Sequence, residues 1–397
     1  MVNDSEQYVY DICQKTFLSL WSYANPLGKK GKELCDILVV CGDDIVIVSV
    51  KDIKPTDSGD LAVDWDRWTK RAIDGSVKQI YGAERWLQDA GTVIQHDGSE
   101  GLSLPPTDQR RVHRIAVAFG GEGQMPLHYG DFGKGFVHVL EERGFDILLS
   151  ELDTITDFLD YLRAKEDYFN QGGTAFFEGH EEDLLALYLF NNRTFPEEAT
   201  LLVVGDGLWD EVSSKPEFIA KKREDEASYL WDALIETHTK GIAEGRAYFS
   251  PGLLTAEPAL RELALEDRYW RRMLSKALYD FLELAKARKI RSRIAPSPER
   301  NVAYVFLPAR PDEDPQMRIA ELAARVWVAR DSLKDYHTVV GLAVGEFKAD
   351  HPLDLFYLYK PEWDEEDQRR AKEAREELGF FKSPVFKRGR EDEYPAA

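Results

Sequence analysis

Cysteine is scarce in this chain of 397 residues, with three in all. Cys13, Cys35 and Cys41 are too few for a disulfide framework and lack the spacing of a zinc site, so reduced, buried thiols in a cytoplasmic protein are expected. Positive charge is also in deficit. Against 72 acidic residues stand 51 lysines and arginines, a formal net charge of −21. Proteins that embrace long nucleic acids usually carry a basic surface, because phosphate neutralisation supplies much of their affinity. This balance argues against an extended nucleic-acid interface and leaves room for a locally basic groove. No apolar run reaches membrane-spanning length, and the opening MVNDSEQ has no signal-peptide character, so no membrane partner is expected. Repeats at a fixed period are missing. The run Gly120-Gly121-Glu122-Gly123 lacks the lysine-serine pair of a phosphate loop and reads as an ordinary loop.

What is present is apolar and aromatic. Hydrophobic residues make up 43% of the chain and nine are tryptophan, a globular composition. The most informative stretch is GKELCDILVVCGDDIVIVSVKD, Gly31 to Asp52. Two β-branched runs, Ile37 to Val40 and Ile45 to Val50, flank a turn at Gly42-Asp43-Asp44. Polar residues sit only at the edges: Asp36 opens the first strand, and Ser49 and Lys51 close the second. Residues two apart on a strand share a face, so Ser49 and Lys51 point the same way. A carboxylate at one strand's start then meets a lysine at its neighbour's end. A hairpin with polar ends explains the pattern structurally. Metal-assisted phosphodiester hydrolysis explains it chemically: a carboxylate binds Mg²⁺, and a lysine orients water or stabilises developing charge.

On these residues the segment resembles the core of the PD-(D/E)xK nuclease superfamily, whose fold is restriction-endonuclease-like. Asp36 and Lys51 match the family pattern; Ser49 stands where the family has a second acidic residue. The resemblance implies an α/β fold, a mixed sheet flanked by helices, and hydrolysis of nucleic acid, expected to be DNA, with Mg²⁺ or Mn²⁺ as cofactor. It implies metal ligation by Asp36, by the Val50 carbonyl and by an acid on the opening helix, Glu6, with Glu33 or Asp52 as substitutes for the missing carboxylate. Glu6 is equally well explained by the helix dipole. The family also places a glutamine or lysine from the following helix beside the site, and Lys78-Gln79 fits that role, although no tyrosine follows Gln79 at the family's spacing. Restriction or defence against foreign DNA is the role such fused nucleases suggest. A nuclease-fold binding or regulatory protein, weakened by Ser49 and working with a protein partner, is the rival.

Along the chain, a helix is expected from Ser5 to Leu20 behind Asn3, Asp4 or Ser5 as N-cap, and another from Asp64 to Ala90. An exposed excursion, Gln88 to Gln109, precedes strands at Val112–Phe119, Phe136–Leu140 and Phe145–Ser150. A helix to about Phe169 starts at Asp153 or Thr154. Gln171-Gly172-Gly173 marks a boundary, giving a nuclease-like domain over 1–172 and a C-terminal α+β region over 173–397 with a subdivision near 256. There, helices are expected at 179–191, 225–239, 257–289 and 317–332, strands at 201–204, 303–307, 339–346 and 354–359, and a surface helix at 363–379 before a polar tail. His180 among Glu178, Glu181, Glu182 and Asp183 reads as acidic helix-start chemistry, with no second histidine to make a metal site. For phosphate contacts the candidates are Lys30, Lys32 and Lys78 near the core, and Arg271 and Arg272 within a local basic excess. The C-terminal region is the place for a protein partner.

Overall fold

The computed structural model describes residues 3–121, 125, 128–196, 201–245, 252–310, 312–345, 354–380 and 391–395. Glu122 and Gly123 of the glycine-rich run, Glu346 and most of the polar tail lie outside them. The chain divides into two compact units, Met1–Phe218 and Ile219–Ala397.

In the first unit the apolar hairpin forms as its pattern dictates. The chain runs α1 (Asp4–Phe17), β1 (Ser22–Ala24), β2 (Ile37–Cys41), β3 (Asp44–Asp52), α2 (Leu61–Leu87), β4 (Thr92–Ile94), β5 (Glu100–Ser103), β6 (Arg111–Phe119), β7 (Gly130–Asp131) and β8 (Phe136–Glu141). Then come α3 (Glu142–Glu151), α4 (Ile155–Asn170), β9 (Thr174–Phe177), α5 (Glu181–Phe190), β10 (Leu201–Val204), α6 (Leu208–Ser213) and the start of α7 (Pro216–Asp225). Six strands make one mixed sheet, β1-β2-β3-β6-β8-β7, in which β3, β6 and β8 run parallel. The β2–β3 turn is tight, with Cys41 opposite Asp44, and Gly42 takes a φ of 60° that a side chain would resist.

Strand β3 is the axis of this unit. Seven of its residues, Asp44–Val50, are buried, as a strand covered on both faces requires. Helix α2 packs on one face against β3 and β6, while α1 and α3 cover the other. Alternation along β3 therefore sends Ser49 and Lys51 toward α2 and Asp44 toward α4, where Arg163 meets it. Helix α1 starts with a capping box in which Asn3 and Glu6 bond reciprocally, which accounts for the acid in its first turn.

Three expectations change here. Phe145–Ser150 is helical, because Phe145, Leu148 and Leu149 bury as an i, i+3, i+4 stripe in α3. The stretch 88–109 holds the β4–β5 hairpin. Residues 173–218 belong to the first unit: buried Lys165 of α4 binds Glu181 of α5 at 2.6 and 2.7 Å, and Tyr161 Oη donates to the same carboxylate. His180 N-caps α5 and contacts Glu141 at 2.9 Å.

The second unit holds the rest of α7, α8 (Tyr229–Ala243), α9 (Leu253–Ala264), α10 (Arg268–Lys286), β11 (Arg293–Ser297), β12 (Val302–Pro308), α11 (Pro315–Ser332), β13 (Thr338–Val344), β14 (Asp354–Tyr359) and α12 (Glu365–Leu378). Its sheet, β11-β12-β13-β14, is parallel only between β12 and β13, the pair that α11 connects. Gly341 lets α11 lie close, since a Cβ there would stand 2.7 Å from Val326 and 2.9 Å from Leu322. Among the described residues no helix is long and apolar enough to cross a membrane.

Candidate active site

Asp36 sits one residue before β2, across from Ser49, because Ile37 pairs with Val48. It is almost wholly buried. An isolated buried carboxylate is costly, and here both oxygens are engaged. Oδ2 accepts from the Val50 amide at 2.5 Å and lies 3.7 Å from Lys51 Nζ; Oδ1 accepts from Gln79 Nε2 at 3.3 Å. Gln79, in the middle of α2, joins the cluster together: its Oε1 accepts from Ser49 Oγ and from Lys51 Nζ, each at 2.9 Å. Ser49 is fully buried, while the Lys51 side chain is 30% exposed and gives the cluster its opening to solvent.

Glu33 adds a second carboxylate. Partial burial, then the Asp36 carboxylate beside it with which it shares a hydrogen bond, raises Glu33 above the usual carboxylate range; Glu6 adds to the rise and Lys51 opposes it. Glu6 thus lends charge to the site, although its own oxygens bond to Asn3. Asp52 is taken by Ser5, whose hydroxyl donates to it at 2.7 Å. Val50 meets Asp36 through its amide N–H. The structure therefore brings Asp36, Ser49, Lys51, Gln79 and Glu33 together, with Glu6 near.

Which cation would such donors suit? Among the described residues there is no group of three or more His, Cys, Asp or Glu side chains arranged to hold a metal ion. Zinc-type sites need such nitrogen and sulfur sets. Magnesium needs only one or two carboxylates, completed by water and phosphate oxygens. Two carboxylates crowded enough to raise one of them, beside an amide oxygen, fit that second description. The donor set is all oxygen; the nearby Cys35 thiol, which burial holds well above its usual range, donates instead to the Ile37 carbonyl at 3.3 Å.

The basic candidates separate into two groups. Lys30, Lys32 and Lys78 are exposed, and among the described residues their side chains make no hydrogen bond or ion pair. Lys30 lies in the turn Lys29–Gly31 with a φ of 59°. Arg271 and Arg272 must be withdrawn as phosphate contacts, because both are fully buried. Arg271 binds Asp232 at 2.6 Å and the Glu266 carbonyl at 2.9 Å; Arg272 binds Asp225 at 3.1 Å and the Asp392 carbonyl at 3.0 Å. The local basic excess of α10 serves the core of the second unit.

A second buried polar cluster escaped the reading of the sequence. At the other end of β3, Asp44 contacts His113 at 3.0 Å, Arg163 at 2.6 Å and Arg111 at 2.9 Å, and Glu166 of α4 contacts His138 at 2.8 Å and His113 at 3.8 Å. Burial pushes both carboxylates up, but these partners outweigh it and hold Asp44 and Glu166 at about 2. Burial likewise opposes charge on His113, and its two carboxylates outweigh it and raise His113; burial prevails at His138 and lowers it. The one local signal is a histidine inside each apolar strand, VHRIAVAF and FVHVLE. No family model matches the chain, and no curated protein or solved structure is significantly similar to it.

Proposed function

We propose that the first unit is a metal-dependent nuclease with a restriction-endonuclease-like sheet, hydrolysing phosphodiester bonds of nucleic acid, DNA before RNA, in a restriction or defence setting. One observation carries this reading: a buried carboxylate and a half-open lysine, 3.7 Å apart, converge at one end of a mixed sheet and are each hydrogen-bonded to a bridging glutamine. Asp36 and Glu33 would hold Mg²⁺ or Mn²⁺, which when bound polarises the phosphate and lowers the pKa of a water. Lys51 contributes an ammonium with three donors, one of them directed at Gln79. Beside its ion pair with Asp36 at 3.7 Å, it can orient a water or a phosphoryl oxygen in the opening of the cluster. Val50 and Gln79 fix the Asp36 carboxylate, so the charged groups are placed before substrate arrives. Lys30, Lys32 and Lys78 supply exposed positive charge for the backbone of the substrate.

The test is cleavage of labelled nucleic acid by wild type and Lys51→Ala in Mg²⁺. Loss of cleavage in the variant, with an unchanged circular dichroism spectrum, supports the assignment; equal rates refute it. A second reading also has an observation behind it. Both Asp36 oxygens already have protein donors and Ser49 adds no charge, as in a nuclease fold kept for binding through a protein partner. That reading predicts nucleic-acid binding without turnover in either Mg²⁺ or Mn²⁺.

A further inference from the structure

The hydroxyl at position 49 cannot stand in for a carboxylate, and it is already committed: Ser49 Oγ donates to Gln79 Oε1 at 2.9 Å from a fully buried side chain. The Gln79 amide lies between two groups of opposite demand. Its oxygen faces donors, Ser49 Oγ and Lys51 Nζ, at 2.9 Å each; its nitrogen faces Asp36 Oδ1 across a longer 3.3 Å. The two ends of a primary amide have almost the same shape, and its terminal torsion is broad and roughly two-fold. A half-turn therefore exchanges oxygen and nitrogen with no change in volume.

After that half-turn, Nε2 faces Ser49. A hydroxyl can accept as well as donate, so this bond survives with its roles reversed. Oε1 then faces the Asp36 carboxylate, an arrangement of two oxygens that is unfavourable unless a cation joins them. Lys51 Nζ now faces an N–H and loses its hydrogen-bond acceptor, keeping only the ion pair with Asp36 at 3.7 Å. A hard divalent cation is the ligand that makes the turned state the better one, since it takes carboxylate and amide oxygens alike. We propose that Gln79, and not position 49, adds a protein oxygen to the two carboxylates at the cation, and that its amide turns over on loading and releases Lys51 from Gln79 toward the substrate. The proposal rests on the metal-dependent reading above. Serine at 49 is then a hinge for the amide, suited to both of its states.

Calorimetric titration of the full chain with MgCl₂ tests this without reference to cleavage. Wild type, Asp36→Asn, Gln79→Met and Gln79→Glu are compared, each first checked for a single cooperative melting transition in EDTA. Gln79→Met, which removes the oxygen and keeps the length, is expected to weaken Mg²⁺ binding roughly tenfold; Gln79→Glu, which adds charge at the same place, is expected to tighten it roughly tenfold. Wild-type affinity in Gln79→Met, with binding lost in Asp36→Asn, overturns the role of Gln79 and leaves the metal site standing. Should Gln79→Met fail to fold, Gln79→Glu decides alone, and an unchanged affinity there overturns the proposal. No binding of Mg²⁺ or Mn²⁺ by wild type removes the metal-dependent reading, and the proposal with it.

Discussion

Replacing Ser49 by aspartate puts a second carboxylate where Ser49 now donates to Gln79. The position is fully buried and its neighbours are an amide oxygen at 2.9 Å and, through Gln79, the buried Asp36. Without metal, the new charge loses a hydrogen bond worth about 1 kcal/mol and meets Asp36 across a few ångström. At an effective dielectric of about 20, like charges roughly 5 Å apart repel by about 3 kcal/mol. Lys51, 3.7 Å from Asp36, offsets part of this. A net destabilisation of roughly 2–3 kcal/mol follows, and at about 2–4 °C per kcal/mol for a unit of this size the metal-free melting transition drops by roughly 5–10 °C. Mg²⁺ should narrow the gap by about half. A tenfold gain in affinity is about 1.4 kcal/mol, and saturation at about a hundred times Kd stabilises the folded state by about 2.7 kcal/mol. Scanning calorimetry in EDTA and in MgCl₂ reads both effects. The reasoning is refuted if Ser49→Asp melts like wild type in EDTA, since no charge would then be crowded there. It is equally refuted if Mg²⁺ stabilises the variant no more than wild type.

Four further outcomes are expected. Because Asp44 and Glu166 are held at about 2, below their unfolded values near 4, they contribute stability that is present above about pH 4 and lost as pH falls toward 2, roughly 2 kcal/mol each. Acid titration of the melting transition of Asp44→Asn should show that loss reduced. His113 is raised, so its contribution is full below pH 6.5 and disappears as pH climbs through its folded value; His113→Gln should flatten the stability profile on that side, read by urea unfolding at pH 6 and pH 8. Arg271→Ala strips a buried partner from Asp232 and should destabilise the second unit by about 3 kcal/mol, with nucleic-acid affinity unchanged in a fluorescence titration. Removing Lys30, Lys32 and Lys78 together should weaken nucleic-acid binding at every sequence and reduce the salt slope by up to about 3.

The hairpin was legible because its information is local: β-branched runs, a glycine at the one turn position needing positive φ, and a period of two that places Ser49 and Lys51 on one face. The pattern of α2 located the helix, and only the family resemblance pointed to Gln79 on it. Other features are set by partners distant in sequence. Arg271 and Arg272 read as a basic patch because Asp232 and Asp225, which neutralise them, lie 39 and 47 positions away. The glycine pair after α4 is a real turn, with Gly172 at a φ of 91°, yet it divides nothing, because the buried Lys165–Glu181 pair ties the chain across it. In Phe145–Ser150 a short apolar run fits strand and helix equally, and only packing chooses.

The central claim, that Asp36 and Lys51 form a cation-dependent hydrolytic centre, is met most directly by one measurement. End-labelled single- and double-stranded DNA and RNA are incubated with the full chain, and with Asp36→Asn, in Mg²⁺, Mn²⁺ and EDTA, and strand scission is followed over time. Scission of at least one substrate by wild type is expected with Mg²⁺ or Mn²⁺, none in EDTA, and none by Asp36→Asn at the same nucleic-acid occupancy. Scission that persists in EDTA or in Asp36→Asn contradicts the claim, as does a wild type that binds these substrates and the cation but cleaves none of them.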